Sequence, residues 1–269
     1  MKYYKLLPSP DLSMYVRFFW VLEGDASNQK PYIHRSMADG CCELIFHYKG
    51  MFEELQINGQ TTSSIIAGIA GPSRKVSRYR INNDFGIFGA YLYPFAMSSL
   101  FGIPVSTIAN RQPDLASLLG RKGKELEEKM MLAADNKARA AILSAFLESR
   151  IAKNGTVQPA AFASINHIIK TKGTVSVDTL ASQFFLSTRQ FERNFKEYAG
   201  FPPKLYSRII RFQAAANEYT NNYKSLTAIA YKCGYYDQSH FIHDFKEFSG
   251  YHPKIYFSGS NEGTDWREV

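Results

Sequence analysis

The 269-residue sequence predicts an α+β protein, with a β-rich N-terminal domain followed by an all-helical C-terminal domain. Three observations carry this prediction. Short aromatic and β-branched runs, separated by turn residues, fill most of the first hundred residues. After residue 94, apolar residues recur every three or four positions, as they do along one face of a helix. A helical segment near the C-terminus also occurs twice, as residues 191–200 and again as residues 241–250.

The N-terminal part is predicted to form strands because its apolar runs are short and bounded by turn signals such as Gly24-Asp25, Asn58-Gly59 and Gly71-Pro72. Strands are predicted over residues 15–21, 42–48, 75–81 and 84–92. Several short strands at this spacing favour an antiparallel sandwich or barrel over residues 1–94.

Helices are predicted over residues 95–101, 115–119, 124–134 and 137–153, where the apolar spacing is three or four. Asn154-Gly155-Thr156 is a helix stop, and Pro159 favours a new helix start. We therefore predict a domain boundary near residue 155, with a strand-rich segment 1–94 and a helical segment 95–155 in the first domain. The helix at 137–153 is expected either to mediate a dimer or to pack on the barrel.

The second domain, residues 156–257, is predicted to contain seven helices and to be followed by a polar tail, residues 258–269. Ser187 and Gln190 match a capping box, in which the serine oxygen accepts from a backbone amide and the glutamine side chain reaches back. Asp237 is the expected cap of the sixth helix. The helices are predicted at residues 159–170, 177–184, 187–198, 203–219, 226–233 and 238–248, with a short last one from Pro253.

The repeated segment is predicted to be two helix-turn-helix units, because in each copy a small residue, Ala181 or Ala230, follows an aliphatic one where two helices cross. Phe191 and Phe195 are expected to face the core in the first unit, and Phe241 and Phe245 in the second. The polar side chains on the opposite face suit DNA, since arginine pairs with guanine, glutamine with adenine, and lysine with phosphate. The predicted DNA-contacting residues are Ser187, Thr188, Arg189, Gln190, Glu192, Arg193 and Lys196 in the first unit, and Gln238, Ser239, His240, Ile242, His243 and Lys246 in the second.

Residues 160–257 resemble the DNA-binding domain of AraC/XylS-type transcriptional regulators. The resemblance rests on Phe241, Phe245-Lys246, Gly250, Pro253 and Tyr256, and on Ile229-Ala230, Gly234-Tyr235 and Ser239. It implies two helix-turn-helix modules bridged by a long helix, here 203–219, that sets two recognition helices into successive major-groove segments of double-stranded DNA, about 34 Å apart.

The sequence departs from the family pattern at two positions. Phe185 stands where glycine is common in the first turn, so we expect a distorted turn there. His243 replaces the commoner arginine, so we expect weaker phosphate or guanine contact in the second module. Because the first recognition helix has Arg189 and Arg193, the first module is expected to supply more of the affinity.

Residues 1–150 resemble, less specifically, a cupin-like N-terminal domain found on some AraC-type regulators, through Phe19-Trp20, residues 39–46 and residues 89–94. This resemblance implies control by a small-molecule effector or by formation of a homodimer, and contact with RNA polymerase if the chain is an activator. Cupin enzymes bind metal through histidine and carboxylate, but His34, Glu43 and His47 lack the closely spaced H-x-H pattern, so we expect ordinary strand residues. The aromatic residues are expected to be mainly core, with some open to a ligand pocket: Trp20, Phe46, Tyr48, Phe88 and Tyr91.

The net charge of +8 permits an anionic partner without establishing one. No apolar run approaches the roughly 20 residues of a membrane span, and no secretory signal is visible, so a cytoplasmic, nucleoid-associated protein is expected. Three cysteines, two of them adjacent, suit neither a disulfide framework nor the four-cysteine zinc site of a DNA-repair protein with this domain. We predict no catalytic residue, metal or cofactor, although a metal-dependent catalyst in the barrel remains the alternative.

Overall fold

The computed structural model describes residues 1–27, 31–56, 58–154, 159–218, 225–258 and 262–263. Three predictions fall outside these residues. They are the domain boundary at 155, the end of the long helix at 219, and most of the C-terminal tail.

Two antiparallel sheets form the N-terminal half. The first sheet has the strand order β1-β2-β9-β4-β7 and the second has the order β3-β8-β5-β6. The strands are β1 (Lys2–Leu6), β2 (Val16–Asp25), β3 (Tyr32–Ser36), β4 (Cys42–Lys49), β5 (Glu53–Leu55), β6 (Thr61–Ser63), β7 (Ala67–Ala70), β8 (Ser77–Ile81) and β9 (Asp84–Leu92). Of the two predicted architectures, sandwich or barrel, the antiparallel sandwich is thus confirmed. Five of its strands, β1, β3, β5, β6 and β7, were not predicted.

Both faces of the first sheet are apolar, and successive side chains of β4 point to opposite faces. Leu44 and Phe46 point into the main core with the helices that follow the sheet. Ile45 points to the other side, where Leu22 and Phe52 form a second, smaller core between the two sheets. Because side chains alternate along a strand, a sheet covered on both faces has a nearly continuous apolar sequence, as β4 and β9 do.

Five helices follow the sheets and cover the first sheet. They are α1 (Phe95–Phe101), α2 (Val105–Ile108), α3 (Leu115–Leu119), α4 (Arg121–Leu132) and α5 (Asn136–Asn154). The predicted bounds of α1 and α3 agree with the structure, whereas α2, a single turn, was not predicted. In α5, Leu143 and Leu147 are fully buried, and the helix packs against α1 and α4. Of the two roles considered for this helix, packing on the N-terminal domain is therefore present.

Between residues 159 and 258, all regular secondary structure of the described residues is helical. The helices are α6 (Pro159–Lys170), α7 (Val177–Gln183), α8 (Thr188–Ala199), α9 (Pro203–Asn217), α10 (Leu226–Lys232), α11 (Gln238–Ser249) and α12 (Pro253–Phe257). Their number and order are those predicted. Among the described residues, no helix is both long enough and apolar enough to cross a lipid bilayer.

The two halves share one continuous hydrophobic core. The backbone N–H of Ala38 donates to the carbonyl oxygen of Phe248 at 2.8 Å, which joins the loop before β4 to α11. At Gly40 an added Cβ would lie 2.9 Å from a ring carbon of Tyr206, in α9. Helix α2 packs against α8. The helical half is therefore held directly against the β-sandwich.

Candidate nucleic-acid interface

The first helix-turn-helix unit consists of α7 and α8, and each helix begins at a serine cap. The Ser176 hydroxyl accepts from the backbone N–H of Thr179 at 3.1 Å, and the Ser187 hydroxyl accepts from that of Gln190 at 3.3 Å. These bonds satisfy amide groups that a helix start leaves without a partner. The serine half of the predicted capping box is therefore present.

The second unit, α10 and α11, begins in the same way. Ser225 caps α10 by accepting from the backbone N–H of Ala228 at 3.1 Å. The Asp237 carboxylate caps α11 by accepting from the backbone N–H of His240 at 2.8 Å, and this bond lowers the pKa of Asp237. The cap predicted at Asp237 is thus in place.

Both turns contain a residue in the left-handed conformation, and the expected distortion at Phe185 is wrong. Phe185 has φ +55° and Gly234, at the equivalent position, has φ +74°. The next residue in each turn makes an equivalent backbone hydrogen bond. Leu186 N–H donates to the carbonyl oxygen of Ala181 at 3.1 Å, and Tyr235 N–H donates to that of Ala230 at 2.9 Å. The Phe185 side chain is 95% exposed. It therefore adopts the left-handed conformation without disturbing the turn.

The exposed face of α8 carries the side chains that the sequence predicts to meet DNA. Phe191 and Phe195 are buried, as expected from their spacing. All seven predicted DNA-contacting residues of this unit are exposed: Ser187, Thr188, Arg189, Gln190, Glu192, Arg193 and Lys196. The helix thus presents three cationic groups on one side and its aromatic residues on the other.

The face of α11 is less exposed than predicted. Ser239, His240, His243 and Lys246 are exposed. Gln238 and Ile242 are only partly exposed, and Ile242 packs against the hydrophobic core, which is a correction to its predicted outward position. An aliphatic side chain at the edge of the buried face gains free energy by covering part of it, so Ile242 turns inward.

Each unit has a matching hydrogen bond between its two helices. The Thr188 hydroxyl donates to the Asp178 carboxylate at 3.0 Å in the first unit. In the second, the Thr227 hydroxyl donates to the Gln238 side-chain oxygen at 2.9 Å. The first residue of each recognition helix is thus tied to the second residue of the helix before it. The sequence analysis did not identify Asp178 or Thr227, although their equal place in the repeat is visible in the sequence.

Helix α9 connects the units and fixes α11 through Arg208, which the sequence analysis also missed. The Arg208 guanidinium donates to Asp244 at 2.8 Å and to Glu247 at 2.7 Å, and it lies 5.1 Å from the centre of the Phe248 ring. Asp244 is buried, so the ion pair compensates the cost of removing its carboxylate from water. Three residues further along α9, the Arg211 side chain donates to the carbonyl oxygen of Gly173, in the loop before α7, at 2.7 Å.

Possible metal ligands occur at two places in the structure. Within the described ranges, the only three histidine, cysteine, aspartate or glutamate side chains whose ligand atoms all lie within 4.8 Å of one another are His243, Asp244 and Glu247. Both of these carboxylates already pair with Arg208. His34, Glu43 and His47 form no such group, and all three cysteines are buried free thiols.

His34, Glu43 and His47 instead border one cavity between the two sheets, with a volume of about 120 Å³. Its other lining residues are mainly aromatic or aliphatic, including Trp20, Ile45, Phe52 and Tyr79. Burial raises the pKa of Glu43 to about 8, with a further contribution from the neighbouring Asp39 carboxylate. Burial also lowers the pKa of His47 to about 4. Of the aromatic residues considered for a pocket, Trp20 lines this cavity, whereas Phe46 and Phe88 belong to the main core.

Two family models match the chain. Residues 4–114 match a domain of unknown function (DUF6597), and residues 180–259 match a helix-turn-helix domain. The HTH-type transcriptional activator RhaS of Escherichia coli is 37% identical over 67 residues, which are 25% of this chain and 24% of RhaS. The chain thus matches about a quarter of the length of this relative.

Solved structures extend the likeness to the N-terminal half. ToxT from Vibrio cholerae, bound to (E)-4-(8-methylnaphthalen-1-yl)but-3-enoic acid, is 14% identical with a TM-score of 0.50, over 89% of this chain and 98% of ToxT. A transcriptional regulator of Chromobacterium violaceum with an AraC-type DNA-binding domain is 25% identical over 38% of this chain and 91% of that protein, with a TM-score of 0.35. The resemblance of the C-terminal half to AraC-type domains is thereby confirmed by sequence, and the β-sandwich followed by a helical half is a fold shared with ToxT.

Proposed function

We propose that this chain is a sequence-specific, DNA-binding transcription regulator of the AraC/XylS type. The observation that carries the proposal is the pair of helix-turn-helix units, each with a left-handed residue in its turn, a polar cap on both helices and one side-chain hydrogen bond between them. Each unit directs its aromatic residues inward and its polar residues outward. Such a pair suits successive major-groove segments on one side of a DNA duplex.

The two recognition helices contribute unequally in this proposal. Arg189 and Arg193 pair with guanine or phosphate in the half-site of the first unit. In the second unit Ser239 and His243 offer weaker polar contacts, and Gln238 is already hydrogen-bonded to Thr227. Lys196 and Lys246, which are both exposed, contact the phosphate backbone and fix the register.

We assign residues 156–257 to DNA binding and residues 1–155 to control. The cavity between the sheets supports control by a small molecule, and the binding of a compound by ToxT agrees with such a role. A homodimer through the first domain, contact with RNA polymerase and residence at the nucleoid belong to the same proposal. We assign no catalytic activity, because the exposed helix faces and the cavity suit binding.

Selection of bound fragments from the genome of the source organism tests the function. The purified chain is expected to retain a small set of fragments that share a two-part motif with a spacing of about one helical turn. Retention of no fragment above the level of random DNA, measured at the same salt concentration, contradicts the proposal.

Arg193→Ala tests the first recognition helix on the operator so obtained. The change removes a contact to base or phosphate, and we expect binding to weaken by about 1–3 kcal/mol with relaxed preference in one half of the site. Arg121→Ala is the matched control, because Arg121 lies on α4 in the other half of the chain and pairs with Glu125. Gel-shift titration measures both variants. Equal affinity of the Arg193 variant and the parent chain argues against α8 as a base-contacting helix.

A further inference from the structure

The cavity between the sheets has a surface of unusual chemistry for an apolar pocket. Trp20, Leu22, Phe52 and Ile87 give it apolar walls, whereas acidic side chains, Glu43 and Asp39, reach it from β4 and the loop before β4. Among the described residues that line the cavity there is no lysine or arginine. An anionic ligand in this site would therefore meet two carboxyl groups with no lysine or arginine beside them.

The Glu43 carboxyl is the acidic group of the cavity that a cationic ligand would pair with. It is enclosed by protein, and the surface it keeps borders the cavity. The indole N–H of Trp20 hydrogen-bonds to it, but burial and the Asp39 carboxylate still hold its pKa near 8. A cation beside Glu43 would favour the ionised form and remove the energetic cost that burial imposes on it.

Two further polar atoms in the cavity lining are buried without a hydrogen-bond partner. These are Nδ1 of His47, a residue that is only 8% exposed, and the hydroxyl oxygen of Ser64. Burial keeps the pKa of His47 low, so its ring is neutral at pH 7 and one ring nitrogen can accept a hydrogen bond. A buried polar atom without a partner costs free energy, which a bound donor would recover.

We propose that this cavity binds a small apolar amine. Its ammonium group pairs with Glu43 and donates hydrogen bonds to neighbouring acceptors, and its apolar part packs against the aromatic walls. The inference rests on the proposed function, because it names the effector of the control domain. An ammonium group carries three N–H donors and no acceptor, which matches a lining with a carboxylate, a neutral imidazole and a hydroxyl. Aromatic walls also attract a cation through the faces of their rings.

The volume of the cavity is close to that of a single aromatic ring, so only the smallest amines that carry a ring are candidate ligands. A cavity of roughly 150 Å³ in another protein holds one benzene molecule, and this one measures about 120 Å³. Benzylamine is therefore a suitable probe. Benzyl alcohol and benzoate have nearly the same shape, with a neutral and a negative group in place of the ammonium group.

The segment from Ser36 to Cys41 connects the cavity with the DNA-binding half. Ser36 and Asp39 line the cavity. Between them, Ala38 is hydrogen-bonded to Phe248 of α11, and Gly40 lies against Tyr206 of α9. Asp39 is held by the Tyr91 hydroxyl at 2.5 Å and by the backbone N–H of Cys41 at 2.7 Å. A ligand that shifts Asp39 therefore acts on residues that contact α9 and α11.

Isothermal titration of the full chain at pH 7 tests the ligand class. Benzylamine is expected to bind more tightly than benzyl alcohol, and benzoate is expected to bind more weakly than either. Glu43→Gln is expected to lower benzylamine affinity by about tenfold or more, since it removes the charged partner, and to leave benzyl alcohol affinity nearly unchanged. Glu128→Gln, exposed on α4, is the matched control and should bind as the parent chain does.

Ala70→Leu is a second test, because Ala70 lines the cavity beside Glu43, its partner on the neighbouring strand, and a larger side chain there occupies cavity volume. This variant is expected to bind neither benzylamine nor benzyl alcohol. Tighter binding of benzoate than of benzylamine, or undiminished benzylamine affinity in the Glu43 or Ala70 variant, overturns the proposal.

The same protein is titrated with its selected operator, with and without benzylamine. A change of about fivefold or more in operator affinity is expected if the segment from Ser36 to Cys41 couples the sites. Operator binding without benzylamine binding removes the inference and leaves the proposed function intact. Benzylamine binding by a chain that retains no DNA supports the ligand site and contradicts the proposed function.

Discussion

Phe185 shows how a single residue departs from a family pattern without changing the backbone. Its φ of +55° is rare for a residue with a side chain, and glycine occupies the equivalent place in the second unit. The side chain is almost fully exposed, so its burial contributes no free energy that would offset the cost of this conformation. Sequence reasoning identified the unusual residue but not its conformation, which neighbouring hydrogen bonds impose.

We therefore expect Phe185→Gly to stabilise the folded chain by up to about 1 kcal/mol, since glycine adopts a positive φ without steric cost. Part of this gain is offset by the greater conformational entropy of glycine in the unfolded chain. The midpoint of chemical unfolding measures the change. Gly234→Ala is the reciprocal variant, and it should destabilise, because its φ is +74° and an added Cβ would lie 2.5 Å from Thr174. A lower midpoint for Phe185→Gly would contradict the assigned strain.

Glu43 gives the chain a stability that depends on pH. The pKa of its carboxyl is about 8 in the folded chain, against an ordinary value of 4.5. Between these values the folded state holds a proton that the unfolded state has lost, so stability falls as pH rises. His47 acts in the opposite sense between pH 4 and 6.5, because its pKa is lowered. The interval from about pH 6.5 to 8 therefore isolates Glu43.

In this interval Glu43→Gln is expected to gain stability over the parent chain by roughly 1.4 kcal/mol per pH unit, and the difference should level off above pH 8. Chemical unfolding at a series of pH values measures it. Glu128→Gln supplies the control slope. A difference that stays constant from pH 6.5 to 8 would mean that the Glu43 carboxyl is already ionised at neutral pH.

At the scale of elements, segments with a clear apolar pattern were predictable and short polar strands were not. The bounds of α1, α3 and β9 agree with the prediction, because each has a clear apolar pattern and a turn residue beside it. Strands β5 and β6 have three residues each and include exposed polar ones, so their sequences carry no period. They form because they pair with β8 and with each other, which is information from distant parts of the chain.

Helix α11 of the second unit is held by an ion pair that has no counterpart among the described residues of the first unit. Asp244 is buried and pairs with Arg208 of α9, whereas the corresponding residue of the first repeat is Asn194, which is exposed. The orientation of α11 therefore depends on a connector residue. The sequence repeat alone does not disclose this dependence, because Arg208 lies outside both copies.

Arg208→Met is expected to destabilise the chain by about 2–4 kcal/mol, because the aliphatic part of the side chain is kept while Asp244 loses its partner. Combining it with Asp244→Asn should restore part of the loss, since the buried charge is then removed as well. Thermal unfolding of both variants measures this. Arg121→Met, which breaks an exposed pair with Glu125, should change stability by less than about 1 kcal/mol. An equally small effect of Arg208→Met would show that the buried pair adds nothing.

At the scale of the whole molecule, the chain is an α+β protein as predicted, but its two halves are more closely joined than the sequence suggested. Sequence reasoning treats a boundary as a place where contacts are few. The shared core and the contacts of Ala38 and Gly40 arise between residues far apart in sequence, which no local pattern records. Because the halves share a core, we expect the parent chain to unfold in one cooperative transition.

Gly40 is the position where this union can be tested. A side chain there would meet Tyr206 and Ile210, whose nearest atoms lie 2.9 and 3.1 Å from an added Cβ, and Tyr206 is fully buried. Gly40→Val is therefore expected to force the halves apart at a cost of about 1–3 kcal/mol and to split calorimetric unfolding into two transitions. Thr62→Val, exposed on β6, is the control and should keep a single transition. One unchanged transition for Gly40→Val would mean that the halves fold independently of this contact, and the route from the cavity to α9 would then have to bypass Gly40.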